Sequence, residues 1–61
     1  MNQLSEKELS MLNASLNEEQ MLVKKFQDMA SRVDDSEVSQ KFTEISKKHQ
    51  SHFDKLYSLL G

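Results

Sequence analysis

The spacing of apolar residues restricts this chain to helices that pack along a shared seam. Between residues 9 and 59, seam residues recur at alternating steps of three and four, with one interruption at Asp34. Such spacing places them on one face of an α-helix, at the a and d positions of a heptad repeat. The first seam contains Leu9, Leu12, Leu16, Glu19, Val23, Phe26, Ala30 and Val33, and the second contains Val38, Phe42, Ile45, His49, His52, Leu56 and Leu59.

Capping signals mark the start of each helix. Ser5 and Glu8 have the spacing of a capping box, in which the side chain of each residue accepts a hydrogen bond from the backbone N–H of the other. Asp34 and Glu37 repeat that spacing. We therefore expect one helix to begin near Ser5 and the next near Asp34 or the following residue.

The chain should be a single all-α domain spanning residues 1–61. It has no proline and one glycine, at the last position, so few residues favour strands or long loops. We expect helix one to cover about 5–33 and helix two about 35–60. Because the turn between them is short, they should form an antiparallel helical hairpin.

Three polar residues interrupt the seams and are predicted to lie at one level of the hairpin. Because Glu19 precedes Asp34 by as many residues as His49 follows it, an equal rise per residue brings the two side chains together, with His52 one turn away. A carboxylate facing an i, i+3 histidine pair is a metal-ligand set, so Glu19, His49 and His52 form a candidate metal site. The same groups can instead hydrogen-bond to one another and fix the helix register without a metal.

Composition limits the partners of the chain. The net charge is −2, and lysines and carboxylates are interspersed, so there is no basic stripe for nucleic acid and no cationic face for a membrane surface. No apolar run approaches the about 20 residues of a membrane span, and residues 1–5 do not resemble a secretory signal. We therefore expect a cytoplasmic protein that binds neither nucleic acid nor membrane.

Additional apolar residues widen both seams beyond what one partner helix covers. Leu22 and Met29 extend the first seam, and Phe53 and Leu60 extend the second. A stripe this wide is typical of a helix in a four-helix bundle. A short chain without cysteine also needs stabilisation from a partner or a metal. We predict that two hairpins form a homodimeric bundle around a two-fold axis at the polar layer, which would bring two such layers together.

The arrangement of these residues resembles one half of a ferritin-like or rubrerythrin-like bundle. Glu19, followed seven residues later by Phe26, matches the lone glutamate of the first helix in that family, and His52 matches the histidine of its Glu-x-x-His motif. His49 occupies the position of the motif glutamate, so this chain reads His-x-x-His. Residues 47–50, Lys-Lys-His-Gln, are also similar to a Glu-Glu-His-Gln segment of spore-coat F proteins, in which the metal motif is commonly degraded.

The resemblance implies a ferritin-like four-helix bundle that holds a transition metal in its core. Loss of the motif glutamates leaves a nitrogen-rich ligand set, which favours iron or zinc but argues against the di-iron oxidation chemistry of the family. No separate base or nucleophile accompanies the site, so the sequence assigns no catalytic residue and leaves enzymatic activity open. Two other functions fit the sequence: a spore-associated structural assembly protein with a degraded metal site, and a helical adaptor that pairs with the helices of another protein.

Overall fold

A computed structural model describes residues 3–61 as a hairpin of two α-helices. Helix α1 covers Glu6–Arg32, helix α2 covers Ser36–Tyr57, and a 3-10 helix, Ser58–Leu60, follows α2. These elements lie within the ranges expected from the sequence, and the described part of the chain contains no strand. The helical hairpin predicted from the apolar spacing is confirmed.

Helix α1 begins at the predicted capping box. The backbone N–H of Ser5 donates to Oε1 of Glu8 (2.9 Å), and the backbone N–H of Glu8 donates to Oγ of Ser5 (3.0 Å). Hydrogen bonding to the Glu8 carboxylate, first from the Ser5 backbone N–H and then from the Ser5 hydroxyl, lowers the pKa of Glu8 from its ordinary value of 4.5, because both donors favour the ionised form. Two N–H groups that the helix leaves without an intrahelical partner are thereby satisfied.

Helix α2 begins at the second of the two positions predicted for its start. Asp35 is the N-cap, and its Oδ1 accepts hydrogen bonds from the backbone N–H groups of Glu37 (2.9 Å) and Val38 (3.0 Å). The capping box predicted for Asp34 and Glu37 is therefore wrong. That box would require Asp35 to be the first helical residue, but its backbone is still extended (φ −73°, ψ 117°).

Small side chains on α2 allow the two helices to approach closely. Leu12, Leu16 and Val23 of α1 are buried, and the buried residue of α2 is Ser46, which is 4% exposed. Ser39, seven residues earlier, donates a hydrogen bond from Oγ to the backbone carbonyl of Ala30 in α1 (2.6 Å). This bond connects the helices near the turn.

Helix α2 exposes one line of its predicted seam. Val38, Ile45, His52 and Leu59 recur every seven residues, and we call them the outer line. Val38 and Leu59 are both 42% exposed and Ile45 is partly buried. Because Ser46, adjacent to Ile45, is buried against α1, the outer line lies at the edge of the contact between the helices.

The hairpin is thin and elongated. Its principal dimensions are 46 × 16 × 9 Å and its radius of gyration is 14.4 Å. A compact domain of this length has a radius of gyration near 10.5 Å, roughly. Among the described residues, no helix is both long enough and apolar enough to cross a membrane.

Candidate metal centre

The two helices bring the three predicted ligands together at mid-length. Helix α1 carries Glu19, and α2 carries His49 and His52 one turn apart. The side chains of Glu19 and His49 are 19% and 21% exposed, whereas that of His52 is 52% exposed. The predicted common level of Glu19 and His49 is therefore confirmed, and His52 forms the open side of the cluster.

Both oxygens of Glu19 face imidazole nitrogens. His49 Nδ1 lies 2.7 Å from Glu19 Oε1, which is a short hydrogen bond, and His52 Nδ1 lies 3.6 Å from Glu19 Oε2. Because an ionised carboxylate only accepts hydrogen bonds, Nδ1 of His49 is the donor and carries the proton. In the neutral His49 ring the lone pair is then on Nε2.

Aromatic rings limit the orientation of His49. Phe26 stacks on His49 with ring centroids 5.8 Å apart and an interplanar angle of 13°. The ring of Phe42 is 5.9 Å from that of Phe26 and tilted from it by 42°. His52 lies edge-on to His49 at 5.5 Å and 86°. The sequence argument did not identify Phe26 as a ring partner of His49, although its position two turns after Glu19 on the same face was the available signal.

The cluster has the ligand types and the approximate spacing of a metal site. One ligand atom from each of Glu19, His49 and His52 can be chosen so that all three lie within 4.8 Å of one another. Ligand atoms at about 2.1 Å from a tetrahedral zinc ion are roughly 3.4 Å apart. The spacing in the cluster, up to 4.8 Å, is therefore wider than in an occupied zinc site, and Glu19, His49 and His52 are the residues that would hold an ion there.

Comparison with known proteins identifies no relative. Nothing matches this chain among protein-family models, curated proteins or solved structures. The function must therefore be argued from the geometry of the hairpin and its polar cluster.

Proposed function

We propose that this chain is a small homodimeric protein that binds a transition metal through Glu19, His49 and His52. The observation that supports this proposal is the convergence of one carboxylate and two imidazoles, from two different helices, within 4.8 Å. Glu19 and His49 are partly buried and hydrogen-bonded to each other, and the half-exposed His52 lies 3.6 Å from the second oxygen of Glu19. A bound cation would give all three groups a common partner.

The ligand set favours zinc or iron(II). Two imidazoles and one carboxylate with an open position are the ligands of several catalytic zinc sites and of non-haem iron(II) sites. Helix α2 carries His49 at the position where the ferritin-like motif has a glutamate. Glu19 is therefore the one carboxylate ligand that each hairpin supplies. We propose that iron or zinc is bound, with one set of ligands in each copy of the chain.

The surface area of the hairpin supports association with a second copy. Its accessible surface is 4941 Å². A compact monomer of 7.1 kDa exposes roughly 4,100 Å². The excess of roughly 800 Å² equals the area that each partner buries in a standard interface. A dimer of two hairpins would form a ferritin-like four-helix bundle and bring the two metal sites into one molecule.

Calorimetric titration of the purified chain with zinc and iron(II) tests this function. The ordinary pKa of an imidazole is about 6.5. We expect saturable metal binding at a pH about one unit above this value and weaker binding about one unit below it, because the ligands must be deprotonated. A His49→Ala, His52→Ala double variant should lose the binding. As the matched control, Ser51→Ala changes an exposed residue between the two histidines and should bind like the wild type.

A melting experiment separates metal binding from a purely structural role. At a metal concentration 100 times Kd, binding adds about 2.7 kcal/mol to the stability of the wild type. The double variant should gain none. A wild-type melting midpoint that no candidate metal shifts would contradict the proposal.

The hydrogen bond between His49 and Glu19 favours a second candidate, a structural helical protein. At 2.7 Å this bond already satisfies part of the polar layer without a metal. A buried polar contact between helices can fix their register, as it does in coiled coils. In this alternative the chain is an assembly protein of the spore-coat type or an adaptor, and the cluster holds the helices in alignment.

A further inference from the structure

We infer that each hairpin packs antiparallel onto a second copy of itself, with the turn end of one copy filling an apolar groove at the open end of the other. The inference rests on the homodimer proposed above and adds the surface and the orientation. It concerns a face of the hairpin that extends from the turn to the chain ends.

The groove lies between the two helices at the end away from the turn. Its volume is about 270 Å³, and its apolar lining residues are Leu4, Met11, Leu12, Leu56 and Leu59. Met11 is 61% exposed although it lines this groove. The groove is therefore open enough to receive side chains from another molecule.

The groove continues into an apolar face along the rest of the hairpin. Leu59 belongs both to the groove and to the outer line, which leads through His52 and Ile45 to Val38 at the turn. On α1, Ser15 lines the groove, and Leu22 and Met29 follow it at seven-residue steps on the same side.

This face is complementary in shape to the same face of a second copy. The outer line carries the exposed Val38 at one end and the groove at the other. A two-fold axis through the middle of the line places each Val38 over the partner's groove, which gives the self-complementary contact that such an axis requires. The accessible surface of each chain exceeds that of a compact monomer by roughly 800 Å², which is about what each partner buries in a standard interface.

Packing favours the antiparallel orientation. A parallel dimer would set groove against groove and leave an apolar cavity, which is destabilising. In the antiparallel dimer the axis passes midway between Ile45 and His52, so the two metal clusters lie on either side of it.

Distance measurement between spin labels tests the orientation. The chain has no cysteine, so Asp34→Cys allows one label per chain at an exposed turn residue. We expect the two labels of an antiparallel dimer to be separated by about the 46 Å length of the hairpin. A short distance, roughly 20 Å, that is about two helix diameters, would overturn the antiparallel orientation.

Cysteine crosslinking provides a second test, with thiols at the two ends of the outer line. Val38→Cys and Leu59→Cys place thiols at positions of equal exposure, 42%. In a mixture of the two variants, we expect hetero-crosslinks on the order of 100-fold faster than self-crosslinks of either variant, because effective concentrations within a complex reach the millimolar range. Met21→Cys, exposed on α1 but outside the face, is the control and should crosslink only at the collision rate.

The outcomes separate this inference from the metal proposal. Fast self-crosslinking of Val38→Cys would overturn the antiparallel interface, while calorimetry on the same protein would independently report whether metal binds. A monomeric mass in sedimentation, without crosslinks in the mixture, would overturn the interface and the dimer together but not the metal site. A dimer with hetero-crosslinks and no metal binding would support this inference and contradict the metal function.

Discussion

At the scale of single residues, Glu19 connects the two histidines. Its oxygens face Nδ1 of His49 at 2.7 Å and Nδ1 of His52 at 3.6 Å. If the proposed metal is bound, Glu19 would either bind it directly or orient the imidazoles that bind it. Glu18, the next residue along the chain, has the same side chain but is exposed. The pair offers a matched comparison.

We expect Glu19→Gln to weaken metal binding by at least about 10- to 100-fold, the usual effect of removing a carboxylate that orients a ligand histidine. The change preserves side-chain volume but removes the negative charge. Glu18→Gln should leave the affinity within about twofold of the wild type, since an exposed carboxylate is screened by solvent. Titration of both variants with zinc measures the difference, and equal affinities would exclude Glu19 from the site.

The meeting of Glu19 and His49 could be predicted from the sequence, but the exposure of His52 could not. Equal distances from the turn determine the level of two residues on antiparallel helices, so counting was sufficient. The exposure of a residue depends on the rotation of its helix about its own axis. Apolar spacing alone does not determine that rotation for α2. A broad apolar stripe allows either the outer line or the adjacent line through Ser46 and Phe53 to face α1.

At the scale of helices, serine had a structural role that hydrophobic patterning does not detect. Ser46 is buried and Ser39 bonds to the Ala30 carbonyl, so the side of α2 that approaches α1 is marked by small residues. The capping signals predicted the helix starts better than hydrophobic patterning predicted the packed face of α2, since the capping box at Ser5 is present as predicted. For α2, two adjacent aspartates left the N-cap uncertain by one residue. The extended backbone of Asp35 identifies it as the N-cap.

The capping box should make helix stability depend on pH. Because the pKa of Glu8 is lowered in the folded chain, its carboxylate contributes stability that is fully present above the ordinary pKa of 4.5 and is lost as the pH falls through the folded value. We expect Glu8→Gln to reduce the loss of stability in that acidic range. Urea unfolding of the wild type and of Glu8→Gln, from neutral pH to about one unit below the ordinary carboxyl pKa, would measure this difference in the free energy of unfolding.

Glu6→Gln is the control for this experiment. Glu6 lies in the same helical turn but is not part of the capping box. Its replacement should leave the acid dependence closer to that of the wild type. Identical pH profiles for Glu8→Gln and the wild type would show that the box does not control the stability of α1.

At the scale of the whole molecule, folding should be coupled to association. A hairpin 9 Å thick in its smallest dimension has few residues with neighbours on all sides, and only Leu12, Leu16, Val23 and Ser46 are classed as buried among the described residues. So small a core provides little of the apolar burial that offsets chain entropy. The second copy would supply the remainder.

We expect the melting temperature to rise with protein concentration. For a dimer that unfolds to two free chains, each tenfold increase in concentration adds about 1.4 kcal/mol to the stability of the dimer, which corresponds to roughly 5 °C for a molecule of this size. Calorimetric scans over a hundredfold concentration range, with sedimentation equilibrium at each end, provide the measurement. A melting temperature independent of concentration, with the mass of one chain, would contradict the coupling.

The position of the chain ends has a consequence for joining two copies into one polypeptide. In a hairpin, the start of α1 and the end of α2 lie at the same end. In the antiparallel dimer, the last residue of one copy is therefore about one hairpin length, 46 Å, from the start of α1 in the other. An extended connector needs roughly 13 residues or more to cover that distance. A tandem fusion with a shorter connector could not fold back on itself in this arrangement, and its halves would have to pair with those of other molecules.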